Sequence, residues 1–317
     1  MIRIIPFVTG IILLSGTIWN SPDADLGDRE LEIKTIHSKK AEDNHVDLRP
    51  NIVYSEIGGK ALHLHLLVPK KADKPLPLII FIKGGGWGKD QPQKTFSFIP
   101  QLVPLAKNGY VVASVEHRTS QEAKFPAQLQ DIKAAVRYLK ENAEQFNIDP
   151  EKIGVWGSSS GGHLAALVGT SGGVEALEGK DGTATRTDSR VRAVVDWYGP
   201  TDFSQMSKFP LKIDVDASDS PESTLIGGPV QENLDKVKLA NPITYITPDD
   251  PPFLIMHGDR DRRVPFNQSV LLFHALQKAK VEVSMYKIEG AGHGGFSQPV
   301  ILNKVQEFFD LHLRKTK

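Results

Sequence analysis

The chain alternates between short apolar runs and longer stretches in which apolar residues recur every three or four positions. Residues 60–68 alternate apolar and polar, as a strand with one buried face does. Residues 76–82 (Leu-Pro-Leu-Ile-Ile-Phe-Ile) form a continuous apolar run, the pattern of a central strand buried on both faces. Runs at 110–115, 153–156, 193–197, 253–256 and 281–286 continue the series. Residues 126–146 instead place Ile132, Ala135, Val136, Leu139, Ala143 and Phe146 at helical spacing, which predicts one buried stripe. Pro126 sits near the start of that stretch, where a missing N–H costs nothing. Residues 268–280 and 298–313 read as later helices. Strands alternating with helices predict an α/β fold, with a mostly parallel central sheet flanked by helices on both faces. The stretch 203–241, with Pro210, Pro221, Gly227, Gly228 and Pro229, breaks the rhythm between the 193–197 and 253–256 strands. It is expected to be an excursion on the substrate side.

The first fifty residues follow a different pattern. Met1-Ile2-Arg3 carries a positive charge, residues 4–14 are nearly all apolar, and polar sequence begins at Ser15. A basic start and a short apolar core fit a secretory signal over residues 1–20, although no Ala-x-Ala cleavage site follows. The apolar run is shorter than the ~20 residues of a comfortable membrane span, so an uncleaved anchor is the alternative. Residues 21–49 are polar and charge-mixed without a period, and read as a flexible linker. The remainder, 50–317, is then one catalytic domain in a secreted or periplasmic protein, with no stable membrane association once the signal is cleaved.

Composition narrows the chemistry. Over 317 residues, 40% are hydrophobic and 24% charged, a globular balance long enough for one large domain. Lys+Arg and Asp+Glu both number 38, and no long basic run occurs, so a nucleic-acid partner has no electrostatic support. The chain has 0 cysteines, which excludes disulfides, thiol catalysis and cysteine-based zinc sites.

Against that background, Gly157-Ser158-Ser159-Ser160-Gly161 stands out. The pentapeptide Gly-x-Ser-x-Gly is weak alone, because a Gly/Ser-rich loop can match it. Here it follows the apolar run 153–156 and precedes an Ala/Leu-rich helical stretch. That is the strand–turn–helix setting of a nucleophile elbow, with Ser159 as nucleophile. A serine hydroxyl needs an adjacent base, usually histidine. His293 lies in a glycine-dense loop, Glu289-Gly-Ala-Gly-His-Gly-Gly, after the last expected strand. An acid should follow a late strand and precede that histidine. In His257-Gly-Asp-Arg-Asp-Arg-Arg-Val-Pro265 both Asp259 and Asp261 are candidates, with Asp261 preferred. Two oxyanion donors are expected: the N–H of Ser160, and a backbone donor from the loop Lys83-Gly84-Gly85-Gly86-Trp87 after the 76–82 strand. A phosphate-binding reading of that loop fails, since neither a P-loop pattern nor a Rossmann fingerprint is present.

With these segments in place, the chain resembles the α/β-hydrolase superfamily, in particular the esterase/lipase group with an H-G-G-G loop and its bacterial acetylxylan and feruloyl esterase-like (BD-FAE-like) branch. The likeness covers about residues 50 to 315. Besides the motifs above it rests on Glu116-His-Arg118, Phe125-Pro-Ala-Gln128, Asp131-Ile-Lys-Ala-Ala135, Asn147-Ile-Asp-Pro150, Tyr198-Gly-Pro-Thr-Asp202 and Val264-Pro265. The resemblance implies Asp261 as the triad acid, Gly85 and Gly86 as oxyanion donors, and structural roles for Arg118, Asp131 and Asp202. It implies a serine esterase without cofactor or metal, acting on small-molecule or polysaccharide-linked esters. Activity should then rise with pH as His293 loses its proton. The alternatives are a serine exopeptidase of prolyl-oligopeptidase type and a non-catalytic binding protein on the same fold. One departure is plain: Lys83 stands where the group usually has histidine. A lysine brings a fixed charge and a long stem. The alternatives are that it extends outward with no effect, that it shifts substrate choice, for instance toward acidic groups, or that it weakens activity on ordinary esters.

Overall fold

In the computed structural model, residues 45–88, 92–179 and 187–314 are described, the side chains of 92–98 excepted. They belong to one unit, Asp43–Lys317. Eight strands, β1 (Val46–Ile57), β2 (Lys60–Pro69), β3 (Leu76–Ile82), β4 (Val111–Val115), β5 (Ile148–Ser158), β6 (Ala193–Trp197), β7 (Phe253–Gly258) and β8 (Val283–Ile288), form one sheet. Their order is β1-β2-β4-β3-β5-β6-β7-β8. β1 pairs antiparallel with β2, and β2 with β4; every other neighbouring pair is parallel.

The helices are α1 (Pro92–Lys107), α2 (Ala127–Glu141), α3 (Ala143–Phe146), α4 (Ser160–Thr170), α5 (Glu175–Glu178), α6 (Phe203–Met206), α7 (Pro221–Ile226), α8 (Leu234–Leu239), α9 (Asn267–Lys278) and α10 (Pro299–Phe309). The continuous apolar runs are explained by the two cores they serve. Successive side chains of a strand point to opposite faces. Leu78, Ile80 and Ile82 therefore join the core that includes Leu139 of α2, Leu164 of α4 and Leu272 of α9, whereas Ile79 and Phe81 join Leu102 and Leu105 of α1 and Val305 of α10. With both faces covered, a polar alternation would bury unpaired groups, so the inner runs of β3 to β7 are dominated by apolar residues, with Ser114, Ser158, Asp196 and His257 as buried polar exceptions. Among the described residues, no helix is long and apolar enough to cross a membrane.

Four sequence expectations change. The linker expected over 21–49 ends earlier, because β1 already begins at Val46 and pairs with Pro69 at the sheet edge. Its polar residues, including Asp47 and Arg49, sit on an edge strand that solvates them and so hide the strand pattern. The signal expected at 1–20 and the linker up to residue 44 lie outside the described residues. The helix expected over 126–146 breaks at Asn142, whose Nδ2 donates to the Tyr138 carbonyl at 2.8 Å, a side-chain bond that competes with the helical ladder. The last strand starts at Val283, not 281. Val281 belongs to the end of α9, where Lys280 is left-handed (φ 65) and the N–H groups of Val281 and Lys280 donate to Leu276 and Gln277, a Schellman closure. Helix α1 was not anticipated; it contains Pro100 and Pro104, and is held by burial of Leu102, Leu105 and Ala106.

Candidate active site

The candidate residues collect where the parallel strands end. β5 stops at Ser158 and α4 starts at Ser160, leaving Ser159 alone on the turn with φ 55 and ψ −125. A non-glycine residue holds such a conformation only where its surroundings over-determine it. Here the Ser159 N–H donates to the Trp197 carbonyl at 2.8 Å and its carbonyl accepts from the N–H of His163 at 3.1 Å. The flanking glycines are required by space: a Cβ on Gly157 would fall on the Gly161 carbonyl, and one on Gly161 on the Ile82 carbonyl.

Ser159 Oγ lies 2.8 Å from His293 Nε2, and His293 Nδ1 lies 2.6 Å from Asp261 Oδ2. His293 reaches the site from the loop after β8, with its side chain 25% exposed, and Asp261 from the loop after β7, fully enclosed at 0%. Each Asp261 oxygen has two partners. Oδ1 accepts from the N–H groups of Arg263 (2.8 Å) and Val264 (3.0 Å), and Oδ2 also faces His257 Nε2 at 3.2 Å. Burial alone would raise its pKa, but the hydrogen bonds from His257, His293 and Val264 outweigh it and hold the carboxyl well below the usual carboxylate range. Asp261 is therefore an anion, and the Nδ1 proton of His293 is fixed toward it. Asp259 is not against the imidazole; it is exposed and accepts from the Gly290 N–H at 2.7 Å.

The glycine loop after β3 faces the elbow. Gly85 and Gly86 have φ of 153 and 64. A side chain on Gly86 would also press against Pro221 of α7, 3.1 Å from the position of its Cβ. No hydrogen bond among the described residues engages the N–H of Gly85 or Gly86. Ser160 opens α4, so its N–H is one of the donors a helix start leaves without a helical partner. Trp87 closes the loop in a left-handed conformation (φ 50). Its indole N–H donates to His163 Nδ1 at 3.2 Å, and His163 Nε2–H donates to the Ala240 carbonyl at 2.6 Å. Burial pushes the His163 pKa down to about 4, so the ring is neutral and the tautomer is set by those two partners.

Lys83 does not extend into solvent. It is 6% exposed and lines, with Gly84, Trp87, His117 and Ser160, a small cavity of ≈ 10 Å³ beside the elbow. The residues given structural roles are tied down away from the nucleophile. Arg118 bonds Asp131 through Nη2 at 2.7 Å and Nε at 2.9 Å, and Asp202 caps α6 by accepting from the Ser204 N–H at 3.1 Å. Sequence reasoning missed His257, Ser158, Tyr198 and the Trp87–His163 pair. His257 had the one local signal, its place at the end of β7, four residues before Asp261.

A six-strand parallel run, a strained serine after β5, an acid after β7 and a histidine after β8 define an α/β-hydrolase. The BD-FAE family model matches residues 64–276, and the chain belongs to that family. Among solved structures, it is similar to a truncated carbohydrate esterase from gut microbiota, with 37% identity and a TM-score of 0.79 over 87% of this chain and 99% of that one. It also resembles esterase Est2 of Thermogutta terrifontis, 25% identical with a TM-score of 0.68, over 87% of this chain and 98% of Est2. Among curated relatives, esterase LipC of Mycobacterium tuberculosis is 30% identical over 70% of this chain and 53% of LipC. The chain spans about half the length of the curated relatives it matches, LipC, LipQ and LipM.

Proposed function

We propose that the protein is a serine carboxylic-ester hydrolase working through Ser159, His293 and Asp261, on short-chain or carbohydrate-linked acetyl and feruloyl esters. The observation that carries this reading is the continuous series Ser159 Oγ, His293 Nε2, His293 Nδ1, Asp261 Oδ2, with spacings of 2.8 and 2.6 Å. His293 Nε2 takes the hydroxyl proton as Ser159 Oγ attacks the ester carbonyl carbon. The N–H groups of Gly85, Gly86 and Ser160 receive the negative oxygen of the tetrahedral intermediate. Asp261 holds the imidazole in the required tautomer and stabilises the imidazolium. The proton then passes to the departing alkoxide, leaving an acyl-serine. Water repeats the sequence with His293 as base, releasing the acid.

Family membership and similarity to a carbohydrate esterase support the ester class and the sugar-linked alcohol. The test is a panel of p-nitrophenyl acetate, acetylated and feruloylated xylo-oligosaccharides, and an aminoacyl anilide, assayed with the natural chain and Ser159→Ala. Ester turnover without anilide turnover is expected, and Ser159→Ala should lower kcat by roughly 10⁵-fold or more with an unchanged circular dichroism spectrum. A folded Ser159→Ala protein with near-normal esterase activity would overturn the assignment.

A further inference from the structure

His257 lies one residue before the end of β7 and is fully buried, at 0% exposure. Its ring is held through both nitrogens. Nε2 lies 3.0 Å from the Val264 carbonyl oxygen and 3.2 Å from Asp261 Oδ2, and Nδ1 lies 2.7 Å from Ser269 Oγ. A carbonyl and a carboxylate oxygen can only accept, so the proton sits on Nε2 and is shared between them. Nδ1 then accepts from the hydroxyl of Ser269, a buried residue of α9. Phe266 closes the ring in edge-on, with centroids 5.6 Å apart.

Val264 fixes both partners at once. Its N–H donates to Asp261 Oδ1 at 3.0 Å while its carbonyl accepts from His257. Asp261, Val264 and His257 thus form a closed ring of three hydrogen bonds, and His257 cannot shift against the carboxylate without breaking two of them. Asp261 Oδ2 therefore serves two histidines. His293 Nδ1, at 2.6 Å, belongs to a ring that must gain and lose a proton at its other nitrogen. His257 is a fixed donor that touches no reacting atom. Each donor on a carboxylate makes it a weaker base. A weaker base draws a neighbouring imidazole less strongly toward the imidazolium, and only the neutral imidazole can take the hydroxyl proton.

We propose that His257 is a positioning residue that sets the working pH of the base: locked as the Nε2–H tautomer by Val264 and Ser269, it donates to Asp261 Oδ2 and keeps His293 unprotonated to lower pH than Asp261 without this donor would allow. The proposal rests on the reading of Ser159 as nucleophile and His293 as base, and deepens it. The other charged and titratable groups around the pair do not take this part. Tyr198, in the turn after β6, stands edge-on to His293 with centroids 4.8 Å apart, but burial pushes its hydroxyl up to about 12. The Arg263 guanidinium, in the acid loop, is engaged by Glu222 of α7 at 3.2 Å. Asp196 of β6, raised by burial to about 7, is the same in every variant below and cancels from their comparison.

The test is the pH dependence of kcat/KM on p-nitrophenyl acetate, which reports the free enzyme's base, for the natural chain, His257→Phe, His257→Gln and Ser269→Ala. His257→Phe keeps an aromatic ring but removes the donor. Its acid limb should move up by about 0.5–1 pH unit, and its plateau kcat/KM should fall about tenfold. His257→Gln carries an amide N–H at about the reach of Nε2 and should return the limb at least half of the way. Ser269→Ala frees Nδ1 and should move the limb in the same direction by a smaller step. A folded His257→Phe that melts earlier but keeps the natural acid limb would overturn the proposal, because a purely structural histidine behaves that way. A limb as displaced in His257→Gln as in His257→Phe would overturn it too. Should His257→Phe not fold, Ser269→Ala decides, and an unmoved limb there overturns the proposal. A natural chain that forms no fluorophosphonate adduct at Ser159 would overturn the underlying reading instead.

Discussion

The Asp261 loop and the Gly84–Trp87 loop, proposed here as acid and oxyanion loops, approach Ser159 from opposite sides and are held in different ways. Asp261 is held directly, with two backbone N–H groups on Oδ1 and two histidines facing Oδ2. His257, the buried one, is fixed in turn. Its Nε2 also donates to the Val264 carbonyl at 3.0 Å, which places the proton there and leaves Nδ1 to accept from Ser269 Oγ at 2.7 Å. The oxyanion loop is held one residue to either side of its donors, at Gly84 by Ser158 and at Trp87 by His163, while the N–H groups of Gly85 and Gly86 keep no protein partner among the described residues. Under the proposed mechanism, the difference follows from the task. A resident charge needs fixed dipoles at all times, whereas a site for a charge that appears only in the transition state must be preorganised yet left open.

The comparison can be broken from either side. On the acid side, Asp261→Asn should reduce kcat/KM by roughly 10³–10⁴-fold, because the amide favours the wrong imidazole tautomer. A loss below about tenfold, read by ester kinetics on the folded variant, would show that Asp261 does not orient His293. On the oxyanion side, His163→Phe keeps the aromatic volume but removes the acceptor for Trp87 Nε1. It should lower kcat about tenfold with little change in KM, and lower stability by about 1–3 kcal/mol through the unpaired indole N–H. An unchanged kcat beside a clear loss in denaturant midpoint would confine His163 to a folding role.

The smallest effect on rate is expected at Asp196, near the end of β6. Burial raises its pKa to about 7, against a hydrogen bond from Gly199 that lowers it. The folded chain thus keeps a proton that the unfolded chain loses from about pH 4 upward. Stability contributed by the neutral acid is present below the unfolded pKa and is lost as pH rises through the window up to about 7. Asp196→Asn should therefore melt above the natural chain at pH 8 and converge with it near pH 4, with kcat nearly unchanged. Thermal melts showing the same offset at both pH values would refute that sign.

The sheet was legible because burial on both faces writes apolar runs into β3 to β7, and the turn after each run carries its own local signal. The Ser159 elbow, the Asp261 loop and the His293 loop each lie within a few residues of such a run. What stayed hidden depends on long-range partners. Ser158 meets Gly84, 74 positions away, and Trp87 meets His163 across 76, so no local pattern marks either pair. The edge strand β1 was missed for the opposite reason, since solvent exposure removes the constraint that makes a strand readable. In α1, Pro100 and Pro104 interrupt the helical pattern, and burial of Leu102 and Leu105 holds the helix in spite of them. For Lys83, outward extension was one of the alternatives its sequence left open, and its burial at 6% exposure, in a cavity it lines with Trp87 and His117, is not signalled by its neighbours in sequence.

The central claim is that Ser159 is a nucleophile activated by His293. Its most direct test is intact-mass and peptide mass spectrometry after treatment with a fluorophosphonate, comparing the natural chain, Ser159→Ala and His293→Ala. The account predicts a single adduct located on Ser159, none in Ser159→Ala, and labelling slowed by at least about 10³-fold in His293→Ala. An unlabelled natural chain, or equal labelling rates with and without His293, would contradict it.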